Sequence, residues 1–293
     1  MFRRLLLCRF LLPACALAAV PAAGLAAVLT TAPTTVPTPV PTAAPAPAPA
    51  AASSPASGIP VLTPRVLARI PHAQDAFTEG LEFYGGALLE STGLVGQSSL
   101  RRVSPQTGEV SLRRRPPNPN VFSEGVSVFG GVAYQLTWQE ETLYLYDPLT
   151  LRSQGQRRYQ GEGWGLTHDD RSLIMSNGSD TLTWRDPKTF AVLKKLRVTA
   201  GGAGVVNLNE LEYGASFIYA NIWLTNRIAR IDPQSGKVTA WIDVTDLTRQ
   251  AQAAAQKAGQ AIDVPNGIAY DAVRNVWLLT GKNWPLMFEV TWP

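Results

Sequence analysis

Two stretches, Phe77-Thr78-Glu79-Gly80 and Phe122-Ser123-Glu124-Gly125, stand 45 residues apart, and each opens an alternating apolar run. A carboxylate beside a glycine can cap local backbone N–H groups. In apolar surroundings that raise its pKa toward neutrality, it can instead serve as a general acid and base. Competing chemistries are thinly supplied. Both cysteines, Cys8 and Cys15, lie near the N-terminus, so the remaining chain offers no thiol nucleophile, disulfide or thiolate metal site. His72 and His168 are the only imidazoles, too few for a histidine-rich zinc site.

The elements that must position these groups repeat. Similar turns open "FTEGLEF" at 77, "FSEGVSV" at 122, "GEGWGL" at 161, "LNELEY" at 208 and "PNGIAY" at 265. A second strand follows each: "ALLESTG", "VAYQLTW", "SLIMSNG", "FIYANIW" and "NVWLLTG". Four copies continue through a third strand into a polar hairpin of the Asp-Pro-x-Ser/Thr or Ser/Thr-Gly type, which reverses the chain. A period of roughly 40–50 residues with four short strands is that of a β-propeller blade. The expected fold is all-β, a five-bladed propeller. The fifth copy lacks an outermost strand, and "GIPVLTPRVLARIP", residues 58–71, is the expected donor, joining last blade to first and removing an open edge. The Ala/Gln-rich segment 245–261 predicts a short capped helix inserted between blades four and five. Inner-strand openings converge on a propeller axis, so Glu79, Glu124, Trp164, Asn209 and Asn266 should face one another across one end of the channel.

The first 60 residues have another character. Arg3 and Arg4 precede an apolar run to about residue 28, the pattern of an export signal or an uncleaved membrane anchor. "LPAC", ending in Cys15, loosely resembles a lipoprotein cleavage box. Residues 29–60, almost entirely Ala, Pro, Thr and Ser, read as a disordered, semi-extended tether. The folded domain is expected over 61–293, with one sizeable core, in an exported, periplasmic or envelope-associated protein. Of the 26 Lys and Arg, Arg3, Arg4 and Arg9 fall in the leader with no acids, leaving 23 basic against 22 acidic residues. That near-neutral balance gives no support for nucleic-acid binding, and membrane contact is expected only through the leader. A closed propeller needs no partner to bury its core, so a monomer is expected.

Eight blocks in order resemble the plant-type and bacterial glutaminyl-peptide cyclotransferases: "FTEGLEF", "ESTGLVGQSSLRRV", "FSEGVSV", "YQLTWQE", "GEGWGLT", "LNELEY", "IWLTNRIARID" and "NGIAYD…WLLTGKNWP". The resemblance covers nearly all of residues 77–290 and implies a five-bladed propeller. It also implies metal-independent, cofactor-free conversion of N-terminal glutamine of peptides or proteins to pyroglutamate, with loss of ammonia. In that reaction the substrate's α-amine attacks its own γ-carboxamide, so the nucleophile arrives with the substrate. The enzyme must shuttle one proton and hold an oxyanion. Carried over by block, Glu124 matches the acid/base glutamate, and Asn209 and Lys282 are the candidate donors to the oxyanion or the substrate carbonyl. Trp138, Trp164 and Trp223 fall in the blocks that line the family's pocket; Phe77 and Phe122 either wall the same cavity or staple the inner strands, and Glu79 and Asn266 are expected beside the substrate.

Two departures stand out. The family usually carries Gln where this chain has Glu79, which places a second carboxylate near the first and predicts that one pKa is raised. Asn177, in a formal glycosylation sequon, replaces a usual acid. Two other functions fit a propeller: a non-catalytic binding module, and a calcium-dependent lactonase-type hydrolase with Glu124, Asn209 and Asn266 as a cage. The latter leaves Trp138, Trp223 and Lys282 without a role.

Overall fold

The five repeats fold as five antiparallel sheets around a common axis, in a computed structural model that describes residues 58–293. The expectations for the leader and for most of the tether lie outside the described residues. Before the first blade come β1 (Val61–Leu62) and β2 (Arg65–Pro71), both of which serve later blades. Blade I comprises β3 (Thr78–Tyr84), β4 (Ala87–Thr92), β5 (Ser99–Val103) and β6 (Val110–Arg114). Blade II comprises β7 (Ser123–Phe129), β8 (Val132–Thr137), β9 (Thr142–Tyr146) and β10 (Ser153–Arg158). Blade III comprises β11 (Leu166–His168), β12 (Leu173–Met175), β13 (Thr181–Arg185) and β14 (Val192–Arg197). A small hairpin, β15 (Thr199–Ala200) with β16 (Ala203–Gly204), leads to blade IV. That blade holds β17 (Leu208–Gly214), β18 (Phe217–Ile222), β19 (Arg227–Ile231) and β20 (Val238–Asp243). Helix α1 (Thr245–Lys257) then precedes blade V, built from β21 (Pro265–Asp271), β22 (Val276–Gly281) and β23 (Leu286–Thr291).

Closure follows the expected route. β2 pairs antiparallel with β23, Arg65 opposite Thr291 and Pro71 opposite Leu286, so the N-terminal segment completes the last blade. The same segment also does what its sequence does not announce. Val61 and Leu62 add parallel to Trp241 and Ile242, covering the edge of blade IV. A buried clasp follows β2: His72 Nε2 lies 2.7 Å from Glu90 Oε1 in blade I, and His72 Nδ1 lies 2.7 Å from the carbonyl of Trp284 in blade V. Burial disfavours the imidazolium, but the charge and hydrogen bond of Glu90 outweigh it and raise the pKa of His72.

The sheets do not enclose one core. Apolar side chains pack in five seams between neighbouring blades, such as Leu89, Leu100, Val126 and Tyr144 between blades I and II. The seam that closes the ring joins Ile70, Leu81, Leu88, Leu278 and Met287. Radial arrangement is the reason: each sheet has two apolar faces, and each face meets a different neighbour. The outer hairpins share one solution. Asp147, Asp186 and Asp232 each accept from the backbone N–H groups two and three residues on and from the following Thr or Ser hydroxyl.

The helix ends earlier than expected and lacks the expected side-chain cap. Its N-cap position is Val244, and Asp243, one residue before, accepts from the Thr245 N–H at 2.9 Å instead. Leu247, Ala251 and Ala255 form its buried stripe. No helix among the described residues is long and apolar enough to cross a membrane.

Candidate active site

Glu79, Glu124, Asn209 and Asn266 all sit where the inner strand slips register against its neighbour. The shifts fall between Thr78 and Gly80, Ser123 and Val126, Leu208 and Leu211, and Pro265 and Ile268. A bulge twists the strand and re-aims a side chain. Four blades use it at one position to turn a polar group toward the axis. The glycine after each glutamate has a separate cause. A Cβ on Gly80 would lie 2.6 Å from the Val126 nitrogen, and one on Gly125 would lie 2.5 Å from the Leu166 nitrogen. The inner strands approach so closely that only hydrogen fits there.

The buried centre of the site is an ion pair. Lys282 Nζ donates to Glu79 Oε1 at 2.7 Å, and Asn266 Nδ2 donates to Glu79 Oε2 at 3.0 Å. Glu79 is 1% exposed and Lys282 7% exposed, so the pair is shielded from bulk water. Lys282 also lies 4.6 Å from the centre of the Phe77 ring. Burial raises the pKa of Glu79 to about 7 against the attraction of Lys282. Glu124 is pushed well above the ordinary range, first by burial and then by the Glu79 charge, with Lys282 opposing. The repulsion expected between two neighbouring acids acts on Glu124; Glu79 is raised by burial and by the charge of Asp263, and its bond with Glu124 lowers it. Glu124 is held through its backbone: its carbonyl accepts from Ser91 Oγ, which in turn accepts from Gln135 Nε2 at 2.8 Å.

Aromatic side chains ring this centre. Phe77 meets Phe122 edge-on at 6.1 Å, and Phe122 meets Trp138 at 5.9 Å. Trp164 meets Trp223 at 5.5 Å, nearly perpendicular. Glu162 joins the two arcs, accepting from Trp138 Nε1 at 2.9 Å and from Trp164 Nε1 at 3.1 Å. Burial works against its charge, but bonds from Gln139, Trp164 and Trp138 outweigh that and lower its pKa.

Contacts link nine of the ten side chains expected at the site, and Asn209, for which no side-chain partner is found among the described residues, is buried at the corresponding bulge of blade IV. Sequence reasoning missed Glu162, although it is the acid of the "GEGWG" block. It also missed a second tier of acids deeper along the axis. Glu210 accepts from Leu81 N–H at 3.1 Å and Ile268 N–H at 2.9 Å, tying blade IV to blades I and V. Glu212 accepts from Tyr270 N–H at 2.8 Å. Glu82 is buried, with Oε1 3.5 Å from His168 Nδ1 and Oε2 unpartnered, and burial raises its pKa to about 8. The signal for this tier was the alternation of the inner strands, which returns every second side chain to the channel. No group of three His, Cys, Asp or Glu side chains among the described residues is arranged to hold a metal ion. Asn177 is exposed, its Oδ1 accepting from Ser179 Oγ at 2.6 Å.

Fold and site together define a five-bladed propeller with a buried carboxylate–lysine pair flanked by aromatic side chains at the openings of its inner strands. The family model described as glutamine cyclotransferase matches residues 40–292. The chain is 39% identical over 228 residues to a glutaminyl-peptide cyclotransferase of Arabidopsis thaliana, covering 77% of this chain and 70% of that protein. The crystal structure of Myxococcus xanthus glutaminyl cyclase superposes with a TM-score of 0.73 at 36% identity, covering 80% of this chain and 98% of that one. The chain belongs to the glutamine cyclotransferase family, and it is an enzyme with that family's cyclotransferase activity.

Proposed function

We propose that this site closes the N-terminal glutamine of peptides and proteins to pyroglutamate, with Glu124 moving the proton and without a metal ion. The neutral α-amine attacks the carbon of the side-chain carboxamide, forming the ring C–N bond and placing negative charge on oxygen. Glu124, as carboxylate, takes the proton that the amine nitrogen loses. It then delivers that proton to the carboxamide nitrogen as the C–N bond to it breaks and ammonia leaves. A single group can act in both directions only if its pKa lies near the working pH. The observation that carries the reading is the raised, buried Glu124 carboxyl beside the Glu79–Lys282 pair.

Lys282 has three N–H donors and spends one on Glu79, so others are free for the developing oxyanion, assisted by Asn209. Glu79 and Asn266 hold Lys282 rather than touch the reacting atoms. The Phe and Trp ring excludes water and favours the folded glutamine conformer in which amine and carboxamide meet. The charged start and apolar run of the leader support an exported enzyme acting on peptides outside the cytoplasm.

The test is ammonia release from a glutaminyl dipeptide by the full-length protein, with and without a chelator. Turnover is expected in both arms. Absence of turnover rejects the substrate, and loss with chelator rejects the metal-free mechanism.

A further inference from the structure

The wall around the site is not continuous. Contacts run from Lys282 to Phe77, Phe122 and Trp138, through Glu162 to Trp164, and on to Trp223. Among the described residues, no hydrogen bond, ring contact or cation–π contact joins Trp223 to Lys282. At that break, between blades IV and V, a cavity of about 320 Å³ opens. Its wall adjoins backbone of the site on two sides. Leu224, in its wall, directly follows Trp223, and Val264, also in its wall, accepts from the Lys282 N–H at 3.0 Å. Helix α1 supplies the far side through Thr248 and Gln252.

The lining is what an extended peptide needs. Leu224, Ile262, Val264 and Pro265 are apolar, whereas Asn226 and Gln252 carry side-chain amides able to pair with peptide N–H and C=O groups. One charged side chain lies in it, Asp263, which is exposed and has no cationic partner among the described residues. Its backbone is fixed next to the site, since Asp263 N–H donates to the Lys282 carbonyl at 2.9 Å.

Cyclisation occupies only the first residue of a substrate, so the rest of the chain must leave the site, and the break in the aromatic wall is one route out. We propose that the groove between blades IV and V holds the residues that follow the N-terminal glutamine, and that Asp263 favours a basic side chain at the second or third position. This rests on the cyclotransferase reading above.

The experiment compares kcat and KM of the full-length protein at low salt on Gln-Lys-Ala-Ala and Gln-Glu-Ala-Ala, and on Gln-Ala-Lys-Ala and Gln-Ala-Glu-Ala. At one of the two positions the lysine peptide is expected to show a KM lower by roughly two- to five-fold, the effect of an exposed charge pair. The difference should shrink in 0.5 M salt, about where screening removes surface attraction. D263N should collapse the ratio, and D263K should reverse it. Equal KM values in the parent, or a ratio unchanged in both variants, overturns the proposal. A parallel titration of tryptophan fluorescence with the matching pyroglutamyl peptides separates the two readings. If nothing is cyclised but the peptides bind with the same charge preference, the reaction fails and the groove stands. Cyclisation without charge preference leaves the reaction and removes the groove.

Discussion

Lys282 Nζ and Glu79 Oε1 lie 2.7 Å apart although 203 residues separate them, and both side chains are buried. The pair closes the ring of blades at the level of the chemistry, linking the first inner strand to the turn after the last β22 residue. Glu79 was the departure whose placement the sequence left open: its two oxygens accept from Lys282 and Asn266, beside Glu124.

Glu79→Gln should lower the acid limb of the kcat/KM profile. Loss of the Glu79 charge removes the repulsion that raises the pKa of Glu124 and leaves Lys282, which lowers it, unneutralised. Leaving a buried charge unpaired should also destabilise the fold, by about 3 kcal/mol. The pH–rate profile and a urea titration check the two parts. An unmoved acid limb would place Glu79 outside the electrostatics of catalysis.

Glu124→Gln should reduce kcat by about 10²- to 10⁴-fold, the usual contribution of a general acid–base group. The fold should hold, because the bond that anchors Glu124 runs from Ser91 to its backbone carbonyl. Steady-state kinetics beside a thermal melt distinguishes this from a structural role, in which the melting temperature would fall with activity.

Glu162→Ala should raise KM more than it lowers kcat. The substitution frees both Trp138 and Trp164 from one acceptor, loosening the wall without touching the proton carrier. Glutaminyl-dipeptide kinetics settle the split, and an unchanged KM would show that the two rings hold their places by packing alone.

Gly125→Ala should destabilise the protein by roughly 1–3 kcal/mol or more, as overpacking does. The new methyl would press on backbone atoms of Trp164 and Leu166, which cannot rotate away. Chemical denaturation measures the loss, and a neutral result would mean that blades II and III can part without cost.

Stability should fall as pH rises from about 4.5 to 8. Glu82, which has no cationic partner among the described residues except the half-exposed His168, has a folded pKa of about 8, above the ordinary 4.5. A raised acid stabilises the fold in its protonated form, fully so below the unfolded pKa, and the contribution disappears as the pH passes the folded value. Glu82→Gln, which mimics the neutral acid, should flatten that slope. Melting temperatures across this range provide the check, and a parallel slope in parent and variant would reject the assignment.

The sequence alone determined the architecture. Five copies of one turn, strand periodicity of two, Asp-Pro hairpins and a missing outer strand supplied by residues 58–71 are local and repetitive features, readable without coordinates. Glu124 could be singled out because it sits in a repeated slot within a recognisable block. The partners of those residues could not be read. Glu79 meets Lys282 and Asn266, Glu162 joins two tryptophans from blades II and III, and Glu210 accepts from two other blades. Each contact crosses a seam that exists only once the ring is closed, and hydrogen bonds and burial depend on distance in space. Bulges also decided the site, since a one-residue slip at Glu79 and Glu124 redirects a side chain that strict alternation would send elsewhere.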